Sequence, residues 1–249
     1  MTMIIGHRGG RNIWPENSLT GFRKVKDLAV DGVEFDVHLT AAGDLVVIHD
    51  ATLDRTTEAT GPVRNLSKGA YSSVTLRGAS EAIPDLDSVL ALYVGTDIEL
   101  HIELKDDVNG TPYPGLAEAV QDAIDRHGLG AQSFVTSFSV SVLQAIRKLS
   151  PKTRTLNSLH APLVEKEGLV MALETRLPIA DVIAIENTVL RQHWSAITAM
   201  VPLDRLGGWV PNSEEDLRYW LAQGMRQITT DEPVRALAVF GQMQTQLHP

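Results

Sequence analysis

Val33-Glu34-Phe35-Asp36-Val37 and Ile98-Glu99-Leu100-His101-Ile102-Glu103-Leu104-Lys105 decide how this chain is read. Both have the apolar rhythm of buried strands, in which successive side chains point to opposite faces. Glu34 and Asp36 therefore share one face of the first strand, with Val33, Phe35 and Val37 on the other. In the second, His101, Glu103 and Lys105 share a face, opposite Leu100, Ile102 and Leu104. Acids aimed into the middle of a sheet are costly unless something pairs them. Three converging carboxylates with one nearby lysine imply a divalent cation as the missing partner. An internal salt-bridge network is the better reading for any single acid; the set as a whole favours a metal. Oxygen ligands alone suit Mg2+ or Ca2+, and Mn2+ less specifically.

Outward from these two stretches, short apolar strands alternate with helix-period segments along the whole chain. Strands are expected at 3–7, 32–38, 98–104, 133–137, 153–156, 182–186, 205–209 and 227–229. Helices are expected at 18–29, 114–127, 140–149, 162–175, 189–200, 213–223 and 234–246. Such alternation fits an α/β fold, a closed (β/α)8 TIM barrel better than an open doubly wound sheet. No Gly-x-Gly-x-x-Gly turn follows a strand, which weakens the dinucleotide-binding version of the open sheet. The chain of 249 residues, 43% apolar and 5% aromatic, is long enough to be one barrel, residues 1–249, with a large aliphatic core. One connection is out of proportion. Residues 51–97 are expected to hold a small insertion after the second strand, lying over the strand C-termini, and within the same span the helix that follows it, from about Leu86 to Tyr93.

The chain has no cysteine, so disulfides, thiolate metal sites and a cysteine nucleophile are excluded. A net charge of −9 without a basic cluster argues against nucleic acid as a partner. The N-terminus lacks the features of a signal peptide, and no apolar run reaches bilayer length, so the expectation is a soluble, cytoplasmic protein without membrane insertion. A homo-oligomer is compatible with the sequence.

In a barrel, catalytic groups lie at the C-terminal ends of the strands. His7 and Arg8 end the first strand, Glu34 and Asp36 lie near the end of the second, His49 and Asp50 follow a short return, and Glu103 and Lys105 end the third. His7 and His49 are the candidate proton-transfer groups, with His38 and His101 as weaker alternatives on the charged strand faces. His127 and His248 read as a helix end and a tail, and His160 and His193 as helix surface. Arg8 and Lys105 are suited to hold an anion, or more simply to neutralise the acids.

The order of these pieces resembles the glycerophosphodiester phosphodiesterase family. The resemblance rests on Gly6-His7-Arg8-Gly9, Pro15-Glu16-Asn17-Ser18, Val33-Glu34-Phe35-Asp36-Val37, Leu39-Thr40, Val46-Val47-Ile48-His49-Asp50, Leu53-Asp54-Arg55-Thr56-Thr57, Ile83-Pro84-Asp85-Leu86 and Ile102-Glu103-Leu104-Lys105. Trp209-Val210-Pro211-Asn212 and Ile228-Thr229-Thr230-Asp231-Glu232-Pro233 extend it to the C-terminus. It covers the whole chain, most densely residues 4–105, and is weakest in the middle, where Ile185-Glu186-Asn187-Thr188 is less typical.

The resemblance implies a TIM barrel with a small insertion and a metal-dependent hydrolysis of glycerophosphodiesters to sn-glycerol 3-phosphate and an alcohol. It implies Glu34, Asp36 and Glu103 as metal ligands, His7 and His49 as the acid–base pair, and Arg8 and Lys105 as phosphate ligands. Trp209 would pack on the substrate's glycerol, with Glu16, Asn17 and Asp50 supporting the site; Glu16 and Asn17 have helix capping as the simpler alternative. The partner expected is a small-molecule phosphodiester. Two other readings remain on the same barrel: a phospholipase-D-like or sugar-phosphodiester hydrolase, and a non-catalytic barrel that binds phosphorylated metabolites. The 51–97 excursion shows no pronounced apolar stretch, which favours water-soluble substrates.

Overall fold

The computed structural model describes residues 1–247; His248 lies outside the described residues. Its elements, in chain order, are β1 (Met3–His7), α1 (Leu19–Lys26), β2 (Gly32–Leu39), β3 (Leu45–Val47), α2 (Leu86–Tyr93), β4 (Glu99–Leu104), α3 (Leu116–His127), β5 (Ser133–Ser137) and α4 (Val140–Leu149). They continue with β6 (Arg154–Leu159), α5 (Ala161–Glu167), α6 (Leu169–Arg176), β7 (Val182–Glu186), α7 (Asn187–Thr198), β8 (Leu206–Trp209), α8 (Glu214–Leu221), β9 (Gln227–Thr230) and α9 (Pro233–Leu247).

Eight of the strands are parallel, each paired with the next around the ring, and β1 pairs with both β2 and β9. That last pairing closes the sheet, so the fold is the expected (β/α)8 barrel. Parallel strands in a barrel are covered on both faces. Val33, Phe35 and Val37 of β2, like Leu100 and Ile102 of β4, are fully buried on the helix-facing side and pack into one continuous cluster with Phe22, Val25, Leu90 and Tyr93. Phe22 of α1 meets Phe35 edge-on, ring centroids 5.5 Å apart. Burying each such side chain stabilises the fold by roughly 1.5–3 kcal/mol, which offsets the charged inner faces.

Three local features differ from the sequence reading. β3 is an additional strand that the return to His49 conceals. It runs antiparallel to the end of β2, using the edge that β1 leaves free beyond Glu34. Three residues are too few for a period-2 pattern to register in sequence. The helix expected at 162–175 is two helices, α5 and α6, broken at Gly168, whose φ of +80° no helix interior accepts. Residues 51–85 lack regular strands but are not simply polar. Leu53, Val63, Val74, Leu76 and Ile83 form a small core with Val46 and Ile48, separate from the barrel's. The apolar residues are spaced singly, which hides the cluster from any windowed reading.

Signals at helix ends behave as their chemistry dictates. Ser18, not Glu16 or Asn17, caps α1 by accepting the Gly21 N–H at 2.9 Å. Ser213 caps α8 by accepting the Asp216 N–H. Gly128 closes α3 in the left-handed region expected of a helix C-terminus.

Candidate active site

Strand register builds the centre. His7 of β1 lies opposite Glu34 of β2, and Asp36 of β2 lies opposite Glu103 of β4. Parallel neighbours on the inner face thus bring three carboxylates to one point at the C-terminal rim. One oxygen from each of Glu34, Asp36 and Glu103 lies within 4.8 Å of the others. Glu34 Oε1 and Asp36 Oδ1 are buried without hydrogen-bond partners.

Three further oxygens of the set are committed. Asp36 Oδ2 accepts from Asn17 Nδ2 at 2.9 Å and faces Arg8 Nε at 3.3 Å. Glu34 Oε2 accepts the Arg8 backbone N–H at 3.2 Å. Lys105 Nζ donates to Glu103 Oε1 at 2.7 Å and lies 3.4 Å from Asp36 Oδ1. Arg8 and Asn17 reach these positions with φ of +49° and +54°. The left-handed backbone is strained for a side-chain-bearing residue, and such strain concentrates at functional sites.

Electrostatics separate the acids. Burial and the neighbouring Asp36 and Glu103 charges push the Glu34 carboxyl well above its ordinary range. Burial likewise raises Glu103, with Lys105 working against it. Burial opposes ionisation of Asp36 too, but Lys105 and Arg8 outweigh it and hold that carboxyl far below the usual value. Two acids are thus destabilised as anions in a cradle of hard oxygen atoms, two of which accept no hydrogen bond. The residues fit a divalent cation.

Both candidate histidines are oriented through Nδ1. His7 Nδ1 donates to Asp231 Oδ1 at 2.5 Å, and His49 Nδ1 donates to Asp50 Oδ1 at 2.6 Å. An ionised carboxylate only accepts, so the proton sits on Nδ1 and Nε2 is left for the site. His7 Nε2 is 3.6 Å from Glu34 Oε2. Burial lowers both imidazole pKa values, against the pull of their carboxylates. His38 and His101 differ. His38 uses both ring nitrogens, on the Tyr113 hydroxyl and the His49 carbonyl. His101 lies between Glu99 and Gln227.

Two supporting networks were only partly legible in sequence. Asp231 is fully buried, and besides His7 it binds Arg11 Nε at 2.9 Å and Asn212 Nδ2 at 2.8 Å. Its place in the Thr230-Asp231-Glu232-Pro233 turn was the available signal, but a pairing across 224 residues leaves no local trace. On the other side, Arg55 from the insertion donates to both oxygens of Asp50 and both of Glu16, while Arg8 Nη1 reaches Glu16 Oε1 at 3.3 Å. Glu16 and Asp50 are therefore linked to Arg8 and His49 by one chain of charge-assisted bonds. Trp209 lies on the cavity wall with Phe138, rings edge to face at 5.7 Å, and its Nε1–H donates to the Ala184 carbonyl. Glu186, the extra rim acid, accepts the Ala161 N–H at the start of α5.

The model of the glycerophosphoryl diester phosphodiesterase family matches residues 7–234. The chain belongs to that family. By that membership it is a phosphoric diester hydrolase. A glycerophosphodiester phosphodiesterase from Bacillus altitudinis is 31% identical over 98% of this chain and 100% of its own length. A crystal structure of a family protein from Agrobacterium tumefaciens superposes with a TM-score of 0.90 at 27% identity, covering 98% of this chain and 99% of that one. An Oleispira antarctica phosphodiesterase, solved in complex with its product sn-glycerol 3-phosphate, shares the fold at 20% identity, with a TM-score of 0.80 and coverage of 97% of each chain. Among the described residues, no helix is long and apolar enough to cross a membrane.

Proposed function

We propose that the protein hydrolyses glycerophosphodiesters to sn-glycerol 3-phosphate and an alcohol in a divalent-metal-dependent reaction. The observation that carries this reading is the set of three carboxylates with two buried oxygens that lack hydrogen-bond partners, beside two histidines each tied through Nδ1 to an acid. The activity named for the Bacillus altitudinis relative and the product bound by the Oleispira antarctica protein support the substrate class.

Glu34, Asp36 and Glu103 would hold the cation, Mg2+ or Ca2+ by the hardness of the donors. A cation held there supplies charge stabilisation to the phosphoryl oxygens and acidifies the attacking hydroxyl. Arg8 and Lys105 neutralise and orient the phosphate, Arg8 in a backbone conformation that aims both its N–H and its guanidinium at the acids. Trp209 offers its face to the glycerol arm. One of His7 and His49 takes the proton of the attacking hydroxyl through Nε2, while the other gives a proton to the departing oxygen. A new P–O bond forms to that hydroxyl as the P–O bond to the alcohol breaks. Asn17 fixes Asp36, and Glu16, Asp50 and Arg55 fix His49. Residues 1–249 act as one catalytic unit with 51–97 as its insertion, since Arg55 belongs to the network that orients His49.

The test is the assay of His7→Ala and His49→Ala on a panel of glycerophosphodiesters, following sn-glycerol 3-phosphate. A loss of about 10^2-fold or more in kcat is expected for each. Near-normal turnover in both variants would sink the scheme.

A further inference from the structure

Two cavities meet at His49, Glu103 and Phe138, which line both. The first contains His7, Arg8, Glu34 and Trp209. The second, of about 460 Å3, extends from the shared residues past Lys105 to His38, Asp106 and Ser137.

Almost every polar group on the second wall is already committed. His38 uses both ring nitrogens. The Ser137 hydroxyl donates to the Leu104 carbonyl and accepts the Ser139 N–H. Both oxygens of Asp50 are bound by Arg55, and Lys105 pairs with Glu103. Asp106 stands apart. Its carboxylate makes no hydrogen bond or ion pair among the described residues, and Oδ1 is buried. The backbone that carries it is fixed: Asp106 bridges to Pro112, and Asp107 caps the intervening turn through the Asn109 and Thr111 N–H groups. A half-buried acid held by a tied loop, facing a cavity beside the phosphate site, is costly until a donor enters.

We propose that the second cavity receives the leaving alcohol and that Asp106 selects alcohols ending in a primary ammonium over those ending in a quaternary one. This rests on the hydrolysis proposed above. In-line displacement places the entering and leaving oxygens on opposite sides of phosphorus. With the glycerol arm against Trp209 in the first cavity, the departing arm points past His49 into the second. That opposition of glycerol arm and departing arm is the geometry of attack by the substrate's own glycerol hydroxyl. A primary ammonium brings N–H donors and a charge to Asp106, whereas a quaternary group brings charge without donors.

The experiment compares kcat/KM for glycerophosphoethanolamine and glycerophosphocholine in the wild type, Asp106→Asn and Asp106→Ala. The wild type is expected to favour the ethanolamine ester by at least about tenfold, the discrimination typical of one charge-assisted hydrogen bond. In Asp106→Ala the ratio falls to near one, and in Asp106→Asn it falls part of the way. A wild-type ratio near one, or a ratio that both variants retain, overturns the assignment. Should neither variant fold, product inhibition of the wild type decides it: ethanolamine must inhibit at lower concentration than choline, and equal inhibition overturns the proposal. Absence of turnover on both diesters would strike the hydrolysis itself; turnover with an unaltered ratio strikes Asp106 alone.

Discussion

Asp231→Asn isolates the charge behind His7 without changing its shape. Asp231 Oδ1 accepts from His7 Nδ1 and forms an ion pair with Arg11 Nε, and Oδ2 accepts from Asn212 Nδ2. Asn212 cannot turn its amide round to suit the variant, because its Oδ1 already accepts from the Thr230 hydroxyl and the Asp231 N–H. The new amide therefore keeps its oxygen on His7 and Arg11 and turns its NH2 toward the NH2 of Asn212. The Nδ1–H tautomer of His7 survives, and its counter-charge disappears. An ion pair about 4 Å between charge centres, at an effective dielectric of about 20, is worth about 4 kcal/mol. Arg11 already neutralises part of Asp231, so the loss falls on about half of that, close to 2 kcal/mol, or roughly 10- to 100-fold in rate. The facing NH2 groups cost about 1–3 kcal/mol of stability in addition. Asp231 itself titrates at about 2, the His7 and Asn212 bonds and the Arg11 charge outweighing its burial, so it is charged throughout the assay range. The measurement is kcat/KM against pH on a glycerophosphodiester, together with a thermal melt. A loss of that size is expected, with the His7 limb moved to lower pH, since the imidazolium has lost its partner. A rate within threefold of wild type with an unchanged pH profile would refute the positioning role.

Three further outcomes follow from the same geometry. Arg55→Ala frees Asp50 from its bidentate partner, so the His49 imidazolium gains counter-charge and its pKa rises; kcat should fall about three- to tenfold, because the exposed pair contributes only about 1 kcal/mol, and a pH profile identical to wild type counts against the relay. Burial holds His38 at about 4 in the folded protein, whereas the unfolded chain binds a proton near pH 6.5. The unfolded state therefore carries the extra proton between those values, and folding loses up to about 3 kcal/mol as pH drops from about 6.5 to 4. Urea midpoints for wild type and His38→Gln should diverge above that window and converge within it, and parallel curves would contradict the assignment. Finally, Glu34 and Glu103 take up protons more readily than ordinary carboxyls, so cation binding has to expel them. Calorimetry in two buffers of different ionisation enthalpy should show proton release on Mg2+ or Ca2+ binding and affinity rising with pH; pH-independent affinity would show the wrong ligand set.

The barrel was legible because its cause is periodic. Glu34 and Asp36 two apart, and His101 and Glu103 two apart, can share a face only in a strand, and the strand–helix alternation repeats along the whole chain. Which acids meet was legible too, since chain order makes β2 and β4 parallel neighbours in a barrel and brings their C-terminal ends to one rim. What escaped depends on contacts between distant residues. Asp231 is one acid in a turn until β9 closes against β1 and sets it beneath His7. Arg55 belongs to a stretch without regular strands, and it matters because the small Val46–Ile83 core fixes the stretch that carries it over the rim. His38 and His101 share the inner faces with the acids, and only their hydrogen-bond partners remove them from the proton-transfer candidates. Gly168 shows the local limit: a glycine within an otherwise helical pattern reads as a weak point, and the positive φ makes it a break.

The central claim is that three carboxylates hold a cation needed to split a glycerophosphodiester. Its most direct test is release of sn-glycerol 3-phosphate by chelator-stripped protein, before and after addition of Mg2+, Ca2+ or Mn2+, with Asp36→Asn alongside. The stripped enzyme should be silent, activity should return with at least one of these ions, and the variant should not recover. Full activity after stripping, or recovery in Asp36→Asn equal to wild type, would contradict it.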